Sequence, residues 1–248
     1  MGYKLTWMYI GQDKIRPSWW QPWANTVLYL PLDWDVVDYS TAGRTFTVYW
    51  ATASAWTPVF ATLPNGKKVA DITAMDHNVS DRFAFTTDLT WIPTSWNMTV
   101  SLWMNQTWFT YIMGNPYYQD MISYRNEDGY TWMCSTNENN DAIMFHGSAQ
   151  EVSTYIPSLS TWYNVVYTVD SWTCYIYVNW TQVYSDSYTY GSWATALCIW
   201  GWHDILQSSW RSQVFYWKLS EIIVENVAWT AQEVVDYFDL TKWYYWIS

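Results

Sequence analysis

Glycine and positive charge are both scarce in this chain. Only 9 of 248 residues are glycine, about 4% where about 7% is usual. Lys and Arg total 11 against 22 Asp and Glu, a formal net charge of −11. A chain this acidic repels phosphate backbones, so no nucleic-acid partner is expected. The same sign excludes a polybasic membrane anchor. No apolar run approaches the roughly 18 residues of a transmembrane helix, so no membrane insertion is expected. The start, MGYKLTWMYIGQ, lacks an apolar h-region, and no ordinary signal peptide is expected. Cysteine is sparse: Cys134, Cys174 and Cys198 form no metal-spaced cluster. Buried free thiols are the expectation. A Cys174–Cys198 bridge would require their strands to be neighbours.

Tryptophan is what the chain has in excess, 23 of 248 residues. Many stand where a turn asks for glycine. Asn179-Trp180 joins two alternating segments, a spacing that asks for a type I′ hairpin with φ > 0 at both central residues. Asp170-Ser171-Trp172 and Asp33-Trp34-Asp35 follow strands in the same way. The run Pro17-Ser18-Trp19-Trp20-Gln21-Pro22-Trp23 has the spacing of a Ser/Gly/Pro linker. Each Trp offers roughly 150–250 Å² to bury, yet turns lie on the surface. One reading is a Trp-rich sugar binder with indoles stacked on pyranose faces. The other is a gene in which UGA encodes glycine, written out with a code in which UGA is tryptophan. Trp at turns favours the second. Trp103, Trp162 and Trp229 fit their contexts as tryptophan, Trp202 less so, and the others are read as glycine sites.

Short alternating segments, rich in Val, Ile, Thr, Tyr and Phe, dominate the remainder. Strands are predicted at 26–32, 44–50, 82–87, 97–104, 109–113, 120–125, 142–147, 163–169, 173–179, 181–186 and 218–226. This spacing, with no helical period, predicts an all-β sandwich. One helix is predicted after the capping box Thr230-Ala231-Gln232-Glu233. The expected organisation is an N-terminal arm and linker (1–24), one domain (25–241) and a C-terminal tail (242–248).

Four segments in order resemble the laminin-G-like, concanavalin A-like domains. They are YLPLDWDVVDYSTAGRTFT (29–47), NMTVSLWMNQT (97–107), TWYNVVYTVDSWTCYIYVNWTQV (161–183) and FYWKLSEIIVENVAWTAQEV (215–234). Trp172, Trp180 and Trp217 occupy glycine positions of that pattern. The resemblance implies a two-sheet antiparallel jelly roll with one short C-terminal helix. It also implies a Ca²⁺ site at Asp33, Asp35 and Glu221, with Asp38 a further candidate. One acidic ligand of the closing strand is missing at Leu219-Ser220-Glu221, and solvated turn acids are the alternative. The arm, MYIGQDKIRPS (8–18), resembles a hairpin-like segment at the start of some phage tail and virion proteins.

Catalytic signals are absent. Glycosidases of this fold carry paired carboxylates on one strand, as in Glu-x-Asp-x-x-Glu. No such motif occurs, and Glu221 and Glu225 read as surface residues. His77, His146 and His203 sit in no nucleophile context. No Gly-rich phosphate loop leads into a helix. The sequons at Asn78, Asn97, Asn105 and Asn179 carry little weight without a secretory signal. The expected function is a non-catalytic carbohydrate-binding or adhesion module, on a phage virion or a cell surface. A structural spacer and a glycan hydrolase of the same fold are the alternatives. The expected partners are a glycan or cell-surface ligand, with homo-oligomer or virion assembly.

Overall fold

The computed structural model describes residues 9–10, 13–14, 24–33, 35–48, 60–71, 82–93, 97–107, 119–125, 130–136, 142–147, 150–190, 194–201 and 217–245. The arm contributes a two-stranded hairpin, β1 (Tyr9–Ile10) with β2 (Asp13–Lys14). The domain opens with β3 (Thr26–Leu30), β4 (Thr47–Val48), β5 (Phe60–Thr62), β6 (Lys68–Asp71), β7 (Arg82–Thr86) and β8 (Asn97–Gln106). It continues with β9 (Gln119–Arg125), β10 (Tyr130–Thr136), β11 (Ile143–His146), β12 (Gln150–Val152) and β13 (Trp162–Asp170). It closes with β14 (Thr173–Val178), β15 (Thr181–Ser187), β16 (Ala196–Gly201), β17 (Trp217–Glu225) and helix α1 (Ala231–Thr241).

These strands form two antiparallel sheets, the predicted jelly-roll-like sandwich. One runs β12-β11-β10-β9-β16-β7-β4. The other runs β15-β14-β13-β8-β17-β6-β5, with β3 also on β17. The core lies between them. Alternation sends Val100, Leu102, Val165, Tyr167, Cys174 and Ile176 inward from one sheet, and Ile122, Trp132, Cys134, Phe145, Leu197 and Ile199 inward from the other.

β17 is the hinge of the second sheet. Its first half pairs with β6 and its second half with β3, while β8 flanks it on the other side. The change of partner falls at a register shift between Ser220 and Ile223. Glu221 sits there with φ of 50°, the left-handed conformation that a bulge usually gives to glycine.

The capping box forms as predicted. The Glu233 backbone N–H donates to Thr230 Oγ1 at 3.3 Å, and the Thr230 N–H donates to Glu233 Oε2 at 2.7 Å. α1 lies on the outer face of the β17 sheet. Val234 and Tyr237 pack with Tyr29, Val166, Tyr177, Ile223 and Trp229. Phe238 packs with Leu63, Val69, Trp103, Trp162 and Tyr245. Residues 242–245, read from sequence as tail, continue into a short 3₁₀ turn (Lys242–Tyr244) that brings Tyr245 to 4.1 Å from the Trp103 ring.

Several strands escape the sequence pattern: β5, β6, β10, β12 and β16. β10 places Trp132 and Cys134 inward and Ser135 on the opposite face. The predicted strand 109–113 lies outside the described residues. Cys134, Cys174 and Cys198 are all buried thiols outside any disulfide. β14 and β16 belong to different sheets, so the strand adjacency a Cys174–Cys198 bridge required does not occur.

The turns sort the tryptophans. Asn179 and Trp180 both have positive φ, 46° and 68°, as the type I′ reading requires. In the 170–173 turn the positive φ falls on Ser171 (58°) and not on Trp172, which corrects the expectation for that turn. Trp91 is also left-handed, with φ of 64°, and 63% exposed. Trp132 and Trp217, read as glycine sites, are buried instead. Trp132 Nε1 donates to the Pro93 carbonyl at 3.2 Å, and Trp217 is a core residue of β17. Trp19, Trp20, Trp23, Trp34 and Trp202 lie outside the described residues.

Candidate functional site

The sandwich has two outer faces, and they differ. The face of the β17 sheet is closed by α1 and the Tyr245 turn. On the other sheet, alternation turns Ser123, Ser135, Met144, His146 and Cys198 away from the core. Ser123 pairs with Cys198, and Ser135 with Met144. The Ser123 and Ser135 hydroxyls are buried with no hydrogen-bond partner. A buried hydroxyl left unpaired costs about 1–3 kcal/mol, so each is a place for an ordered water or a ligand hydroxyl.

His146 stands beside them. Burial lowers its pKa, against the opposing effect of the Gly147 carbonyl. Its Nδ1 lies 2.8 Å from that carbonyl, which can only accept, so Nδ1 carries the proton. Burial thus favours the neutral ring beside these hydroxyls. His77 and His203 lie outside the described residues.

The proposed calcium ligands do not assemble. Among the described residues no group of three His, Cys, Asp or Glu side chains is gathered for a metal. Asp35 folds back on its own turn, accepting from the Val37 N–H at 3.3 Å and from Tyr39 Oη at 3.4 Å. Asp33 is half-exposed in the same turn. Glu221 is buried elsewhere, with Oε1 3.1 Å from Lys67 Nζ and Oε2 accepting from Tyr237 Oη at 3.4 Å. Lys67 also lies over the Tyr244 and Tyr245 rings. Its ammonium already neutralises Glu221, which is why that carboxylate can be buried without a metal.

Asp38 is buried too, and its partner is Arg44. Asp38 Oδ1 accepts from the N–H groups of Tyr29 (3.1 Å) and Ser40 (2.9 Å). Oδ2 accepts from the Arg44 N–H (3.2 Å) and from Arg44 Nη1 (2.9 Å). Both side chains are completely shielded from solvent. The sequence reading passed over Arg44, although Asp38-Tyr39-Ser40-Thr41-Ala42-Gly43-Arg44 carries a signal. Gly43, with φ of 56°, turns the chain back so that Arg44 meets Asp38.

Glu225, expected at the surface, is a second buried acid on β17. Oε1 accepts from Thr26 Oγ1 and Oε2 from Trp229 Nε1, both at 2.7 Å. Burial raises its pKa from the ordinary value, outweighing those hydrogen bonds, and Glu233 adds to the rise. The folded state therefore binds this proton more tightly than the unfolded chain. The stabilisation is complete below the unfolded pKa and fades as pH rises through the folded one. Glu225→Gln is expected to flatten that decline, with stability at neutral pH equal to wild type or higher. Urea unfolding across mildly acid to neutral pH checks it, and a variant that keeps the wild-type slope refutes it.

Three sequons have structural duties. Asn97 Oδ1 accepts from the Ser171 N–H at 3.0 Å, Asn179 Oδ1 accepts from the Asn164 N–H at 2.9 Å, and Asn105 is buried in β8. Asn78 lies outside the described residues.

No protein-family model matches this chain, and no curated protein matches it. Solved structures do. The binding domain of Paraclostridial Mosquitocidal Protein 1 is similar with a TM-score of 0.63 at 14% identity, over 86% of this chain and 52% of that one. Domain 4 of AbnA, an extracellular arabinanase of Geobacillus stearothermophilus solved with arabinotriose, gives 0.60 at 15% identity, over 86% of this chain and 97% of that one. A mutant Trypanosoma rangeli sialidase displaying trans-sialidase activity gives 0.57 at 13% identity, over 91% of this chain and 34% of that one. This chain thus spans about half of the toxin domain and a third of the sialidase. At these identities the likeness is one of fold: a jelly-roll-like antiparallel β-sandwich.

Proposed function

We propose that this protein is a non-catalytic carbohydrate-binding or adhesion module. The observation that carries the proposal is the pair of unpartnered hydroxyls, Ser123 and Ser135, both fully shielded from solvent on the outer side of the sheet opposite α1. A neutral, polyhydroxylated ligand pairs with such groups without bringing a charge to be desolvated. The arabinotriose held by AbnA domain 4 supports the reading by analogy of fold. A glycan array with the full chain tests it. Binding to neutral glycans is expected, with at least a tenfold loss in the Ser123→Ala/Ser135→Ala double variant at an equal or higher melting temperature. An array without binding, or a double variant that binds as wild type, overturns it.

The same reading extends to origin. The left-handed Trp91 and Trp180 support a gene in which UGA encodes glycine, since a bulky residue there costs about 1–2 kcal/mol that glycine does not. The β1–β2 hairpin supports the likeness of the arm to phage tail and virion proteins. A virion or cell-surface location, with assembly through the arm, goes with that likeness. The codons decide the first point: UGG at positions 91 and 180 overturns it. Tail, capsid or portal genes beside this one would bear out the second.

A further inference from the structure

We propose that Arg44 is the resident cation of the opening turn, where its guanidinium takes the place of a bound Ca²⁺. Its acceptors come from three separate segments. Nη1 donates to Asp38 Oδ2 and to the Val27 carbonyl of β3. Nε donates to the Asp88 carbonyl at 3.1 Å, and Nη2 donates to the Thr90 carbonyl. One carboxylate oxygen and three backbone carbonyls, converging from a strand and two turns, is the kind of oxygen set a hard cation collects. Here a planar five-donor fork fills it. Ser40 Oγ adds a bond to the same Val27 carbonyl at 3.1 Å.

The arrangement has a functional meaning. The 35–44 turn and the 86–92 loop are tied together through Arg44, so this part of the rim keeps its order without a divalent ion. A chelator cannot remove a covalently attached guanidinium. Two loops that a metal-dependent domain would lose in EDTA stay in place here.

Thermal unfolding of the full chain tests this. The wild-type midpoint is expected to be the same in EDTA and in millimolar CaCl₂. Arg44→Ala is expected to melt lower and to recover in low-millimolar methylguanidinium, but not in equimolar NaCl. A midpoint that rises by several degrees with CaCl₂ in the wild type overturns the proposal. So does an Arg44→Ala variant that melts like wild type or is not rescued by methylguanidinium. If Arg44→Ala does not fold, Arg44→Lys replaces it. Lysine keeps the charge and loses the fork, so a lowered midpoint supports the proposal and an unchanged one overturns it.

Discussion

Arg44→Met loses about 3–5 kcal/mol of unfolding free energy, the loss expected when one member of a buried ion pair is removed. Methionine fills much of the arginine stem's volume, so packing changes little. The loss comes from what is left behind. The Asp38 carboxylate stays buried with backbone N–H donors and no counter-charge. The carbonyls of Val27, Asp88 and Thr90 lose the donors that Arg44 supplied. The double variant Arg44→Met/Asp38→Leu is expected to lose less than the sum of the two single variants, because it removes the stranded charge. Urea unfolding of the three variants measures this. A single-variant loss under about 1 kcal/mol would mean that the pair is not buried as described.

Two tryptophan substitutions are expected to have opposite signs. Trp103→Gly costs about 4–6 kcal/mol: 3–5 for emptying a buried indole site, and about 1 for glycine within a strand. Trp103 is fully buried on β8 under α1, stacked on Tyr245 at 4.1 Å and on Phe238 at 5.8 Å. Its Nε1 donates to Thr241 Oγ1 at 3.2 Å, so the loss also loosens the end of the helix. Trp91→Gly gains about 1 kcal/mol, because glycine accepts the left-handed backbone without strain. Its ring is 63% exposed, so little buried area is given up. The two melting curves separate real tryptophan sites from glycine sites. If Trp91→Gly melts lower than wild type, the strain assigned to that turn is wrong.

Much of the fold was legible in the chain. Val165 to Val169 and Cys174 to Val178 are runs of strand formers on either side of a two-residue turn, and Thr230 and Glu233 form a complete capping box. What was not legible depended on partners far along the chain. Nothing local to Glu221 says that Lys67 will meet it, since 154 residues separate them. Thus a residue that resembled a calcium ligand proved to be half of an ion pair. Asp38 was readable as an acid in a turn, but its role depends on Arg44 reaching across to loops at 88 and 90. Trp217 was assigned to glycine by the resemblance and Trp132 only with the remaining tryptophans, and only the assembled sheets place them inside. The outer-face serines gave no signal at all, because a serine in an alternating strand ordinarily faces solvent.

The placement of β17 also sets a timetable for synthesis. The strand lies inside its sheet, and Glu225 bonds to Thr26 across a separation of 199 residues. While the ribosome is still translating, β3, β6 and β8 each lack the neighbour that joins them. The sheet can close only after residue 225 has left the exit tunnel. Until then β3 and β8 present unpaired edges, and nascent chains crowded on one message are the point at which this protein is most exposed to mispairing.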